Sequence, residues 1–199
     1  MISKSSVLLG VGFLVTVGCA SKDKDPVTPV DHVASTAGSS SAAPTSTTAA
    51  TPPPDKGDKG IGSGDAAPTF TLDSLNGAGK LEVAKGKVTL VDFWATWCEP
   101  CKKSFPKLQE LNVKYKASGL EIVGVSEDDE AGGIAEFGKN YNAKFPLAWD
   151  QGKTVANKYD PKTMPTSFII DRKGIVRYAF MGYHSEDDAK FEARVKSLL

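Results

Sequence analysis

Val88-Thr89-Leu90-Val91-Asp92-Phe93-Trp94-Ala95-Thr96-Trp97-Cys98-Glu99-Pro100-Cys101 is the stretch that decides the fold. Its first seven residues form an apolar, β-branched and aromatic run of the length of a buried parallel strand. From Lys102 to Lys116 the apolar side chains fall at Phe105, Leu108, Leu111 and Tyr115, the spacing of one helix face. Two thiols two residues apart therefore sit where a strand gives way to a helix, with Cys98 at the helix N-terminus. Orphan backbone N–H groups and the positive dipole end stabilise a thiolate there, and the thiolate is the nucleophilic form. Cys101 falls one turn in, within reach for a disulfide.

The Trp-Cys-x-x-Cys motif after this strand, with Met164-Pro165-Thr166 far downstream, resembles the thioredoxin superfamily. The run Phe93 to Lys103, followed by Phe105-Pro106, resembles its TlpA/ResA/DsbE group of extracytoplasmic thiol-disulfide oxidoreductases. The resemblance covers roughly residues 65 to 199, including an opening Ala67-Pro68-Thr69-Phe70-Thr71-Leu72 of a kind also found in peroxiredoxins. It implies an α/β fold, a mixed central sheet flanked by helices, with an N-terminal extension and an inserted helix.

The residue pattern agrees with that architecture. A short strand is expected around Thr69 to Leu72 and a turn at Asn76 to Gly79, before the central strand. Leu120 to Val125 reads as a second buried strand, Glu130 to Asn140 as a helix with Ile134 and Phe137 inward, and Phe145 to Trp149 as extended. Thr154 to Tyr159 suits one or two helical turns. Ser167 to Ile170 and Ile175 to Phe180 read as a hairpin across Asp171 to Gly174, and a last helix runs from about Ser185 to Leu199.

The chain carries 24 basic and 24 acidic residues, and setting aside five of each before residue 65 leaves 19 of each in the rest. A neutral domain has no electrostatic footprint for nucleic acid. The N-terminus differs in kind. Lys4 precedes an apolar stretch from Val7 to Val17, too short to span a bilayer and suited to the core of a signal peptide over residues 1–19. Gly18-Cys19 ends it, resembling a bacterial lipobox in which Cys19 is lipidated, although Thr16 stands where that pattern usually has Leu; the alternative is ordinary cleavage, for example after Ala20. Residues 20–64 are rich in Ser, Thr, Ala, Pro and Gly and nearly devoid of large apolar side chains, so they cannot offset the entropy of ordering. They read as a tether, whose r.m.s. span as a flexible coil is roughly 35 to 40 Å. The single catalytic domain is expected at residues 65–199.

With Cys19 assigned to the export signal, only Cys98 and Cys101 remain in the domain, too few for a stapled framework. The functional reading makes Cys98 the attacking thiol and Cys101 the resolving thiol; the bland ones are a static disulfide and half of a metal site. Zinc would need further thiolates or histidines, and the chain offers only His32 and His184. No metal and no cofactor beyond the Cys98–Cys101 disulfide is expected.

The neighbours of the pair set its properties. Glu99 and Pro100 lie between the cysteines and are expected to tune the couple: the Glu99 carboxylate opposes thiolate formation, Lys102 and Lys103 partly offset it, and the balance favours a reductant. An ionised Asp92 between Leu90 and Trp94 is costly, so burial should raise its pKa and fit it to exchange a proton with Cys101; the bland reading is a structurally satisfied carboxylate. An aspartate there resembles thioredoxin itself. Ser104 departs from the ResA-like pattern, which has a glutamate at that place, and this weakens apocytochrome c as the substrate. Met164-Pro165-Thr166 runs directly into a strand, where a trans proline would remove a ladder hydrogen bond. A cis peptide resolves the conflict, and the resemblance implies that this loop faces the cysteines and offers its backbone to an extended substrate. Trp97 is expected to border the cysteines as an apolar contact surface.

The sequence thus points to an exported, lipid-anchored oxidoreductase acting as a monomer at the periplasm-facing cell envelope. It would reduce disulfides of extracytoplasmic proteins with electrons from a membrane thiol reductase. Ala20-Ser21 after Cys19 lack the aspartate that marks inner-membrane retention, which favours the outer membrane. Two rivals stand beside this reading: a peroxiredoxin-like thiol peroxidase and a non-enzymatic tethered binding module. The peroxidase wants a threonine three residues before the reactive cysteine and a nearby arginine, but position 95 is alanine and the arginines are Arg172, Arg177 and Arg194.

Overall fold

A computed structural model describes residues 61–77 and 79–199; the expected signal peptide, Cys19 and all but the last few residues of the expected tether lie outside them. The elements follow in the order β1 (Leu72–Asp73), β2 (Lys80–Leu81), β3 (Val88–Trp94), α1 (Glu99–Tyr115), β4 (Leu120–Ser126), α2 (Ile134–Asn140), β5 (Leu147–Trp149), α3 (Ala156–Tyr159), β6 (Thr166–Ile170), β7 (Val176–Met181) and α4 (Asp188–Lys196). β1 and β2 pair as a small hairpin. The other five strands form one sheet in the order β5-β4-β3-β6-β7. β3 pairs in parallel with β4, and β4 with β5, whereas β6 and β7 run antiparallel. The expected mixed sheet flanked by helices is present.

β3 is buried along its whole length, as the unbroken apolar run requires of a strand covered on both faces. Alternation splits its side chains. Val88, Leu90 and Trp94 join one core with α1, α2 and α4; Val91 and Phe93 join the other with Phe70, Leu81 and α3. Asp92, in step with Leu90 and Trp94, is on the α1 side.

α1 is fixed to that side by Phe105, Leu108 and Leu111, all fully or nearly fully buried, each worth about 1.5–3 kcal/mol of burial. The Phe105 ring meets Trp94 and Phe137 at centroid distances of 4.7 and 4.9 Å, so strand, redox helix and α2 share one aromatic cluster. Pro106 sits inside α1 and has no N–H to give the carbonyl one turn back. Near the far end of α1, Glu192 of α4 accepts from Lys107, Lys114 and Tyr115, which pull its carboxyl down to about 2.

Three boundaries differ from expectation. The helix expected from Glu130 begins at Ile134, because Gly133 has φ 91°, outside the helical region; Ile134 and Phe137 are nevertheless inward. The opening strand is only Leu72–Asp73, since the chain before it docks by single bonds instead: Ala66 bridges Ile175, and Ala67 N–H donates to Gly174 O at 2.9 Å. The last helix starts as a 3-10 turn at Ser185–Asp187 and becomes α-helical at Asp188. Among the described residues no helix is long and apolar enough to cross a membrane.

Candidate active site

Cys98 is the N-cap of α1. Its φ/ψ of −77°/107° is extended, and its Sγ accepts the Cys101 N–H at 3.2 Å. Pro100 follows as the second helical residue, where a missing N–H costs nothing because the first turn has no intrahelical acceptor. The two cysteines form a disulfide with Cα atoms 5.3 Å apart. Cys101 is fully buried and Cys98 is 4% exposed, so the cap cysteine is the less buried of the two. Trp97 beside it is 65% exposed, an apolar rim next to the reactive sulfur.

Glu99 points to water. Its side chain is 67% exposed and pairs with Lys102 at 2.9 Å, which holds its carboxyl below the usual range. The Lys102 pairing is the offset expected for the Glu99 charge.

Asp92 lies opposite Gly124 of β4 and Ser167 of β6. It is fully buried. Its Oδ1 accepts from the Ser167 hydroxyl, while Oδ2 has no partner among the described residues. Burial pushes the Asp92 carboxyl up to about 7, against the Ser167 hydrogen bond that pulls it down. A group so placed is divided between its acid and base forms near neutral pH, as proton transfer requires. It faces the core that holds Cys98 and Cys101.

The Met164–Pro165 peptide is cis. Pro165 O accepts from Gly182 N–H at 2.7 Å, and Thr166 closes the loop by donating to Thr163 O at 2.7 Å. Thr166 pairs with Phe93, so the loop sits just past the end of β3, and Met164 packs against the core that includes both cysteines. Cys98, Cys101, Asp92, Trp97, Met164, Pro165 and Thr166 thus gather at the C-terminal end of β3, with Glu99 turned outward.

Two arrangements escaped the sequence. Asp128, nearly buried, accepts from Thr96 N–H at 3.0 Å, Thr96 Oγ at 2.7 Å and Ser126 Oγ at 2.7 Å. It clamps the turn that carries Trp97 and Cys98. Asp128 O in turn accepts from Trp149 Nε1 at 2.7 Å. The Asx-type run Ser126-Glu127-Asp128 after a strand was its only local signal. The second is Ser104, buried, whose hydroxyl donates to Cys101 O at 3.0 Å. It forms one wall of a cavity whose other walls include Leu108, Pro165, Ser167, His184 and Phe191.

Residues 63–179 match the family model described as the AhpC/TSA family. This chain belongs to that family. Among its members, a thiol-disulfide oxidoreductase ResA of Bacillus cereus is 38% identical over 126 residues, 62% of this chain and 72% of the relative. The ResA of Bacillus subtilis is 37% identical over 132 residues, 65% of this chain and 73% of the relative. The crystal structure of a Chlorobium tepidum protein assigned as thiol:disulfide interchange protein DsbE superposes with a TM-score of 0.65 at 36% identity, over 68% of this chain and 96% of that one. With a Cys-x-x-Cys disulfide at the start of α1, this AhpC/TSA member is a thiol-disulfide oxidoreductase of the ResA kind.

Proposed function

We propose that the protein is exported, is held at the cell envelope by a lipid on Cys19 through the tether of residues 20–64, and reduces disulfides in extracytoplasmic proteins. The observation that carries the direction is the sparse stabilisation of the Cys98 sulfur. It receives one backbone N–H, from Cys101, no histidine lies between the cysteines, and the nearest lysine in the helix, Lys102, is engaged by Glu99. A weakly stabilised thiolate makes the dithiol readily oxidised, which is the character of a reductant. The export signal, tether and anchor rest on the composition of residues 1–64.

The reaction follows from the geometry. With the dithiol reduced, the Cys98 thiolate attacks a substrate disulfide, one substrate sulfur leaves as thiol, and a mixed disulfide forms at the cap position. Cys101 then loses its proton to Asp92 and attacks Cys98 Sγ, closing the disulfide and freeing the second substrate thiol. Two electrons pass to the substrate, and a membrane thiol reductase would return them. The cis-Pro165 loop and Trp97 supply the backbone edge and apolar contact for an extended substrate. Apocytochrome c is one candidate, with Ser104 as the departure that counts against it.

The AhpC/TSA description also covers the peroxidase reading. Residue chemistry weighs against it: Ala95 stands three residues before Cys98, Arg172 bonds Gly86 O, Arg177 pairs with Asp171, and Arg194 lies over the Tyr178 ring.

Equilibration with a glutathione series tests the direction. The expected potential lies below roughly −200 mV, on the thioredoxin side of the scale. A value near about −120 mV, that of a strong oxidant, would make this a disulfide-forming protein.

A further inference from the structure

Asp92 raises a problem of access. A carboxyl that accepts a proton from Cys101 in each turnover has to release it before the next, yet Asp92 is fully buried. Among the described residues its one side-chain partner is the Ser167 hydroxyl, bonded to Oδ1. Ser167 is 7% exposed and lines the cavity between α1, the cis-proline loop and α4, together with Ser104, Pro165 and His184. The same hydroxyl therefore touches the sealed carboxyl on one side and the cavity on the other.

We propose that Ser167 is the positioning residue through which Asp92 exchanges protons with solvent, its hydroxyl bridging the sealed carboxyl and the cavity. In the outward step the Oδ1–H bond breaks as Ser167 Oγ takes that proton, and the Oγ–H bond breaks as a cavity water takes the other. In the inward step Oγ–H passes to Oδ1 and Oγ regains a proton from water. One proton crosses, the hydroxyl is regenerated, and no electrons move.

The neighbours of Asp92 on the paired strands carry no other ionisable side chain. β4 presents Gly124 opposite it, with no side chain to titrate, and β6 presents Ser167. α1 contributes Cys101 and Ser104 to that side. The charged or titratable groups nearest the outer end are Tyr183, His184, Asp187 and Asp188 on the cavity wall, and Tyr183 is tied to Asp188. Removing the Ser167 bond takes away what pulls the Asp92 carboxyl down, so the carboxyl should titrate at higher pH.

The proposal rests on Asp92 as the base for Cys101, and four proteins separate the two ideas. Single-turnover rates of Cys101-dependent release from a Cys98 mixed disulfide are measured across pH for wild type, Ser167→Ala, Asp92→Asn and the double variant. The titration of Asp92 is followed in parallel by carboxyl ¹³C NMR in the dithiol form. Wild type is expected to show an inflection near pH 7 in both readouts. Ser167→Ala is expected to move both inflections upward and to slow release at pH 7 about tenfold. Ser167→Thr, which keeps the hydroxyl, is expected to restore both. The second substitution adds nothing in the Asp92→Asn background, and that comparison decides even where threonine overpacks the site. A Ser167→Ala protein with wild-type rate and inflection overturns the relay. An Asp92→Asn protein with the wild-type profile overturns the role of Asp92 itself.

Discussion

Two buried aspartates flank the same end of the sheet, and they are treated oppositely. Asp128 receives three side-chain and backbone donors from Ser126 and Thr96. Asp92 receives one hydroxyl and leaves Oδ2 without a partner among the described residues. A carboxylate surrounded by donors holds those donors in place. One starved of them is poised to gain a proton, at a cost to the fold whenever it is charged. The difference separates scaffold from the proposed chemistry: Asp128 fixes the turn that carries Cys98, and Asp92, less satisfied, is the carboxyl proposed to exchange a proton with Cys101.

The largest effect at a single pH should follow from breaking the scaffold side. Asp128→Ala strands the Thr96 and Ser126 donors in a buried site, and a loss of about 2–4 kcal/mol is expected, read by urea unfolding of the oxidised protein. A change below about 0.5 kcal/mol would mean that the clamp carries no weight and that the contrast with Asp92 is empty.

The next effect belongs to Asp92 and has the opposite sign. Its folded pKa of about 7 stands above the ordinary value of 3.8, so between those pH values the folded state holds a proton that the unfolded state has lost. Stability therefore falls as pH rises through that window, by up to about 1.4 kcal/mol per pH unit from this group, and levels off above pH 7. Asp92→Asn should remove that slope and be more stable than wild type at about pH 8. Denaturation midpoints at about pH 5, 6.5 and 8 check this.

The smallest effect is expected from a third carboxylate, exposed and already paired. Glu99→Gln should lower the Cys98 thiol pKa only slightly, because Glu99 is open to water and neutralised by Lys102. Alkylation rate against pH measures it. A shift as large as that from Asp92→Asn would show that the exposed charge, not the buried one, sets the couple.

What the sequence disclosed follows a physical division. Val88–Trp94 and the start of α1 were legible because hydrophobic period and capping are local properties. The cis proline was legible because a strand cannot use a trans one there. Asp92 was recognisable as a buried charge but not as an unsatisfied one, because its partner Ser167 is 75 positions away and arrives only through the β3–β6 register. The Asp128–Thr96 clamp spans 32 positions and depends likewise on strand pairing. The offset of Glu99 by Lys102 was legible because the two lie three positions apart on one helix.

The entry of the chain into the domain has a consequence of its own. Gly64 N–H donates to Val176 O, and Val176 N–H to Asp65 O, so the first described residues are laid along the start of β7. That is the end of the sheet at Val88 and Ile170, whereas Cys98 lies beyond Trp94. The seven residues of β3, at about 3.3 Å each, put roughly 20 Å between the two ends. The first described residues thus join the domain at one pole and the disulfide lies at the other, so under the proposed tethering the Cys98 sulfur would lead in any encounter directed away from the point of attachment.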